Sequence, residues 1–227
     1  MTQPDTDRPL LSRPRLLDLF CGAGGAARGY QLAGFHVTGV DNKPQPHYVG
    51  DKFVQADALE FCREHAGEFD AIHASPPCQG YSMAKNNGSG RTHAKLIEPT
   101  RDLLIECGKP YVIENVELSP LRSTAVRLCG ATFGLGYDGW DLPRHRLFEC
   151  SFGVLTPPCQ HKRGRTIGIY GGGTNGWHMK NWGRCFKIDE LRTAIGIDWM
   201  TRKELNEAIP PAYTQFIGAQ LMRVVHP

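Results

Sequence analysis

Short apolar runs alternate along this chain with segments of helical character, and that alternation sets the expected fold. Arg15-Leu16-Leu17-Asp18-Leu19-Phe20 is an apolar run of strand length. It ends in the turn Cys21-Gly22-Ala23-Gly24-Gly25, after which a helix is expected to about Leu32. Phe35 to Val40 reads as a second strand closed by Asp41, and Lys52 to Ala56 as a third closed by Asp57, with a helix over 58–66. Phe69 to Ala74 reads as a fourth strand that stops at Ser75-Pro76-Pro77. A helical segment at 95–107 precedes a fifth strand, Tyr111-Val112-Ile113-Glu114-Asn115. Strands alternating with helices predict parallel βαβ units, hence an α/β fold built on a doubly wound, mostly parallel sheet. Ligands of such sheets lie beyond the carboxyl ends of the strands. Asp18, Asp41, Asp57, Cys78 and Glu114 all fall there.

The pattern changes after residue 150. Residues 156–185 are rich in Gly, Pro, Trp and basic side chains, including Gly171-Gly172-Gly173, Trp177 and Trp182, and read as a substrate-recognition insert. Residues 80–95 have loop composition and follow Cys78 directly, as a closing lid would. Helical character returns over 201–222, around Pro210-Pro211. The expected organisation is a disordered leader at 1–13, a catalytic domain at 14–150, a small recognition region at 151–200 and a C-terminal helix at 201–227 that returns to the catalytic domain.

Composition narrows the class. With 41% hydrophobic and 22% charged residues in 227, the chain has the makeup of a soluble globule. No apolar run approaches the roughly 20 residues needed to cross a bilayer. The first fifteen residues carry no apolar signal core, so a cytoplasmic protein without membrane contacts is expected. The net charge is +3, but residues 1–80 carry 7 basic and 10 acidic groups whereas 151–227 carry 10 and 5. A basic last third suits an anionic partner such as nucleic acid, and equally a solvated face. The eight cysteines are scattered, with no Cys-x-x-Cys pair. Cys159, His161, Cys150 and Cys185 are the only set considered for zinc, and without paired ligand spacing no metal is expected.

Four segments carry chemistry. Glycines at 22, 24 and 25 let backbone N–H groups approach a ligand at a helix N-terminus, and Asp41, about twenty residues on, is placed to grip ribose hydroxyls. A dinucleotide and a nucleoside both fit, although Gly-x-Gly-Gly disfavours a pyrophosphate. Pro76-Pro77 stiffen the chain just before Cys78, which would aim its sulfur as a covalent nucleophile is aimed. Glu114 ends the adjacent strand, where burial would keep its carboxyl protonated for donation to a ring nitrogen. Arg144 and Arg146, two apart on an extended segment, would present two guanidiniums on one side.

Taken in order, these pieces resemble the cytosine-C5 DNA methyltransferases. Asp18 to Gly25 is similar to the family's cofactor motif, Pro76-Pro77-Cys78-Gln79-Gly80 to its catalytic motif, and Glu114-Asn115-Val116 to its Glu-Asn-Val. Arg144-x-Arg146 resembles the end of its Gln-x-Arg-x-Arg, with Leu142 where the family has Gln. Pro210-Pro211-x-Tyr213 with Ile217-Gly218-x-Gln220 resembles its closing helix, with Asn206-Glu207-Ala208-Ile209 in place of Gly-Asn-Ala-Val. The resemblance implies a Rossmann-like S-adenosylmethionine fold with a reduced recognition region. It implies S-adenosylmethionine as cofactor, bound by Asp18, Phe20, Gly22, Ala23, Gly24, Gly25, Asp41, Asn42, Asp57, Ala58 and Pro76, with Asp41 on the ribose and Asp57 near the adenine. Cys78, Glu114, Arg144 and Arg146 would form the catalytic set, acting by a covalent Cys78–C6 bond on a flipped cytosine of double-stranded DNA. A monomer in the cytoplasm of a bacterial or phage-infected cell is expected. The same chemistry on tRNA, a modified donor, or a non-catalytic DNA-binding homologue are the alternative readings.

Overall fold

The computed structural model describes residues 13–77, 95–161, 164–170 and 183–226. Residues 1–12 of the expected leader at 1–13, Cys78 with most of the lid segment, and the Gly171 to Trp182 part of the insert lie outside the described residues. A seven-stranded sheet forms the centre. In chain order its first five strands are β1 (Arg15–Leu19), β2 (His36–Asp41), β3 (Lys52–Gln55), β4 (Ala71–Ala74) and β5 (Tyr111–Asn115). Three helices connect them: α1 (Gly25–Leu32), α2 (Ala58–His65) and α3 (Ile97–Cys107). The chain continues through β6 (Val126–Leu128), a small hairpin of β7 (Gly136–Tyr137) and β8 (Trp140–Asp141), and β9 (Arg146–Cys150). It closes with α4 (Ile188–Ile195), α5 (Arg202–Glu207) and α6 (Pro211–Val225).

The strand order is β3-β2-β1-β4-β5-β9-β6. The first five strands are parallel, and β9 runs antiparallel between β5 and β6. The sheet is therefore mostly parallel and doubly wound, as the sequence predicts. On one face Leu16, Val37, Val112 and Phe148 pack against α1 and α6. On the other, Leu17, Leu19, Ile72 and Ile113 pack against α2 and α3. Burial on both faces explains why these strands read as continuous apolar runs rather than alternating ones.

Local chemistry fixes the helix ends. The Asp57 carboxylate caps α2 by accepting from the N–H groups of Leu59 and Glu60. Thr201 and Glu204 form a reciprocal capping box on α5. The helix expected over 201–222 is two helices, because Pro210 disfavours helical geometry at Ile209 and Pro211 restarts the helix at its first position. The antiparallel β6–β9 region, expected only as part of 14–150, escaped the sequence reading because its strands are two to five residues long.

Helix α6 lies on α1 with almost no side chain between them. A Cβ on Gly29 would stand 2.0 Å from Thr214 Oγ1 and 2.2 Å from the Pro211 carbonyl, and one on Gly218 2.7 Å from Ala33 Cβ. The Thr214 hydroxyl donates to the Ala26 carbonyl at 2.9 Å, locking the crossing. Gly29→Ala is expected to destabilise the protein by about 1–3 kcal/mol through overpacking. Gly67→Ala, where an added Cβ meets nothing within 4 Å, should stay within about 0.5 kcal/mol. Urea denaturation of both variants checks this, and equal midpoints would contradict it.

Candidate functional site

The parallel strands carry their carboxyl ends to one edge, and between β1 and β4 the order of connection reverses. That switch point is where an open α/β sheet leaves a crevice. The turn after β1 enters it with Phe20 at φ 58° and Gly22 at φ 49°, both left-handed. Gly22 N–H donates to Asp41 Oδ2 at 3.1 Å, and Lys43 N–H to Asp41 Oδ1 at 3.0 Å. Each carboxylate oxygen keeps a lone pair for a further donor. A Cβ on Gly22 would meet nothing within 4 Å, so this side of the turn is open. An open glycine beside a strand-end carboxylate fits a nucleoside with ribose hydroxyls. Asn42 is exposed and Phe20 half-buried beside them, while Asp57 is exposed with Oδ1 committed to capping α2.

The rest of the turn is backing. Gly24, at φ 83°, lies against the Tyr48 ring, and a Cβ on Gly25 would stand 2.5 Å from the Ile209 carbonyl. Ala23 packs its side chain into a third apolar cluster with Leu142, Ile169 and Leu191, and its carbonyl accepts from Trp199 Nε1 at 2.9 Å. The side chains of Ala23 and Ala58 are buried in the core and Gly25 packs on Ile209, so these residues can offer a ligand main-chain groups only. The Asp18 carboxylate is fully buried and bonded through Oδ1 to His73 Nδ1 at 2.8 Å, so it offers no surface to a ligand. Tyr48, Trp199 and Ile209 were not singled out from sequence, since each acts through tertiary packing alone.

The second half of the site is at β4 and β5. Pro76 is buried, and its carbonyl accepts from Asn115 Nδ2 at 2.8 Å. Asn115 thus ties the end of β5 to the rigid turn that leads into Cys78, which itself lies outside the described residues. Glu114 is 6% exposed and pairs with Arg146 Nε at 3.0 Å. Burial raises its pKa, against the opposing pull of Arg146, then His73 and Arg144. His73 beneath it is a further residue the sequence reading missed. Leu142, which stands where the family has Gln, is fully buried in the third cluster.

Arg144 departs from expectation. It is 1% exposed, with φ 30°, so the segment is not extended there. Its Nε and Nη2 donate to the Ala208 carbonyl at 3.0 and 2.7 Å, Nη2 also to Asn206 O at 2.9 Å and Leu205 O at 3.3 Å, and Nη1 to the Ile169 carbonyl. The guanidinium is committed to main-chain carbonyls and cannot hold a base. Only Arg146 of the pair reaches Glu114. The expectation of no metal also rested on sequence spacing alone, and space groups the residues differently. Cys129, His145, Cys159 and His161 bring their ligand atoms within 4.8 Å of one another, sharing only Cys159 and His161 with the set considered from sequence.

Strand order, glycine turn and strand-end acids define a Rossmann-like α/β protein with a ligand crevice at the switch point of its sheet. Residues 14–119 match the model of the C-5 cytosine-specific DNA methylase family. The chain is 30% identical over 167 residues to the type II methyltransferase M.HgiDI of Herpetosiphon aurantiacus, covering 68% of this chain and 52% of the relative. It is 29% identical over 189 residues to M.AgeI of Thalassovita gelatinovora, covering 68% and 44%. The chain thus spans about half the length of the curated relatives it matches. Among solved structures, the Dnmt2 methyltransferase of S. pombe superposes with a TM-score of 0.59 at 14% identity, covering 95% of this chain and 100% of that one. The methyltransferase EhMeth of Entamoeba histolytica does so at 0.53 and 15%, covering 94% and 98%. These two likenesses concern the fold. No helix among the described residues is long and apolar enough to cross a membrane.

Arg144→Lys keeps the charge but loses the planar fork, leaving several of these carbonyls without a donor. It is expected to cost about 2–4 kcal/mol of stability, read as a lower urea midpoint. An unchanged midpoint would show that the carbonyl contacts do not support the fold.

Proposed function

We propose that the chain transfers a methyl group from S-adenosylmethionine to C5 of cytosine in double-stranded DNA. The observation that carries this reading is the buried Glu114 carboxyl, paired with Arg146 and tied through Asn115 to the Pro76 turn, beside an open glycine–carboxylate cradle. S-adenosylmethionine supplies an electrophilic methyl group on a sulfonium. In the proposed reaction the Cys78 thiolate adds to C6 of the ring while Glu114 donates a proton to N3. The electron pair from the C5–C6 double bond would make C5 nucleophilic toward the methyl group, whose bond pair to the sulfonium would stay on the donor sulfur. Loss of the C5 proton to a base would re-form the C5–C6 double bond as the C6–S electron pair returns to sulfur, and N3 would return its proton to Glu114, freeing a neutral product. Asp41 holds the ribose hydroxyls of the cofactor, and Phe20 and Gly22 line the same cradle. Asn42, Asp57 and main-chain groups of the 18–25 turn complete its rim.

Raising the Glu114 pKa serves this chemistry, because a carboxyl must be protonated to donate. Arg146 works against that shift while fixing the carboxyl's direction. The ring atoms are inaccessible inside a duplex, so the target base must leave the stack. The lid segment after Cys78 and the recognition region at 151–200 are proposed to close over it and to read its surroundings.

Two predictions test the reading. DNA carrying 5-fluorocytosine, incubated with S-adenosylmethionine, should give a denaturation-resistant adduct at Cys78, and Cys78→Ser none. Glu114→Gln should lower kcat by about 10²–10⁴-fold while cofactor binding by calorimetry stays unchanged. An adduct or label on RNA alone would move the assignment to an RNA substrate, and no adduct on either would end it. Separately, Asp41→Ala should weaken cofactor binding by about tenfold or more, the loss of one charge-assisted hydrogen bond. Unchanged affinity would remove Asp41 from the ribose.

A further inference from the structure

The Cys129, His145, Cys159 and His161 cluster plays no part in the proposed transfer. Cys129 follows β6, His145 precedes β9 and sits between Arg144 and Arg146, and Cys159 and His161 come from the segment that enters the recognition region. Cys129 Sγ lies 3.5 Å from His161 Nδ1, Cys159 Sγ 3.4 Å from His145 Nε2, and Cys159 Sγ 2.9 Å from His161 Nδ1. Zinc–sulfur and zinc–nitrogen bonds of about 2.3 and 2.0–2.1 Å in a tetrahedron place S and N about 3.5–3.6 Å apart. Two of the three observed separations meet that edge length, and the third is somewhat shorter. All four ligand atoms lie within 4.8 Å of one another.

The surroundings match a metal-binding histidine as well. Ligating imidazoles usually direct their second nitrogen to a carboxylate or carbonyl, which fixes the tautomer. His145 turns Nε2 to the cluster and Nδ1 to Glu117 Oε2 at 3.3 Å. Glu117 is itself paired with Arg127 at 3.3 Å.

We propose that Cys129, His145, Cys159 and His161 bind one structural zinc ion in a closed four-ligand site. Two thiolates and two imidazoles leave no open coordination position, so the ion's role is to join chain segments. It fastens the start of the recognition region to the β6–β9 edge, one residue from Arg146 and its partner Glu114. The paired spacing that announces most zinc sites is missing because the ligands come from three separate places in the chain.

The test is metal analysis of the full-length protein, expressed without a histidine tag and dialysed against a weak chelator. One zinc per chain is expected by mass spectrometry, and replacement by cobalt should give the visible bands of a tetrahedral dithiolate site. Cys159→Ser, an exposed ligand whose change spares the core, should lose the cobalt bands and most of the zinc. Glu117→Gln should weaken zinc affinity by about 10–100-fold, and Cys185→Ser should leave it unchanged. Zinc far below one per chain after reconstitution would overturn the proposal. So would full zinc content in Cys159→Ser, or a Cys129–Cys159 disulfide in the native protein.

Discussion

A single buried guanidinium joins helix α5 and the α5–α6 link to the segment before β9. Helix α5 ends at Glu207, and the last carbonyls of a helix have no partner within it. Leu205 and Asn206 present such carbonyls, Ala208 adds one just beyond, and Arg144 donates to all three. A cation at the negative end of a helix is favourably placed. Burying an ion costs several kcal/mol even after relaxation, while each charge-assisted bond returns about 1.5–3 kcal/mol. Arg144 thereby fixes where α5 and the α5–α6 link must lie. That link supplies Ile209, whose carbonyl backs Gly25, so the position of the cofactor turn depends on an arginine at the far end of the β6–β9 region.

The same residue marks where sequence reasoning stops. The five parallel strands were legible because burial on both faces leaves continuous apolar runs, and the site was legible because each run ends in an acid, a glycine turn or a rigid proline pair. Arg144 and Arg146 were read as parallel because an extended segment would make them so. The positive φ at Arg144 breaks that symmetry and sends one side chain to the α5 carbonyls and the other to Glu114. Nothing local announces it, since the constraint lies more than sixty residues away in the chain. Asp18 was misread for a related reason. Its place in the motif suggested a ligand contact, but its strand register sets it opposite His73, inside the sheet face.

The site combines opposing electrostatic demands. Glu114 sits where burial favours the neutral acid, yet Arg146 lies 3.0 Å away and favours the anion. An isolated buried acid would resist ionising and a strongly paired carboxylate would resist protonation; at Glu114 the two influences oppose each other. His73, bonded to the buried Asp18, is a further neighbour that opposes the rise in the Glu114 pKa. Asn115 adds geometry, because its amide fixes the turn before Cys78 relative to the strand that carries Glu114.

The third apolar cluster joins segments from both sides of residue 150 in one core. Ala23 from the cofactor turn, Trp140 and Leu142 from the β7–β8 hairpin and its exit, Ile167 and Ile169 from the insert, and Leu191 and Ile195 from α4 share one core. Trp199 reinforces that union by donating from its indole to the Ala23 carbonyl. A close-packed core transmits displacement, because its side chains have few voids into which to relax. Displacement of Ile167 or Ile169 would therefore reach the glycine turn through Leu142 and Ala23, so the segment after residue 150 and the crevice at the strand ends share one mechanical basis.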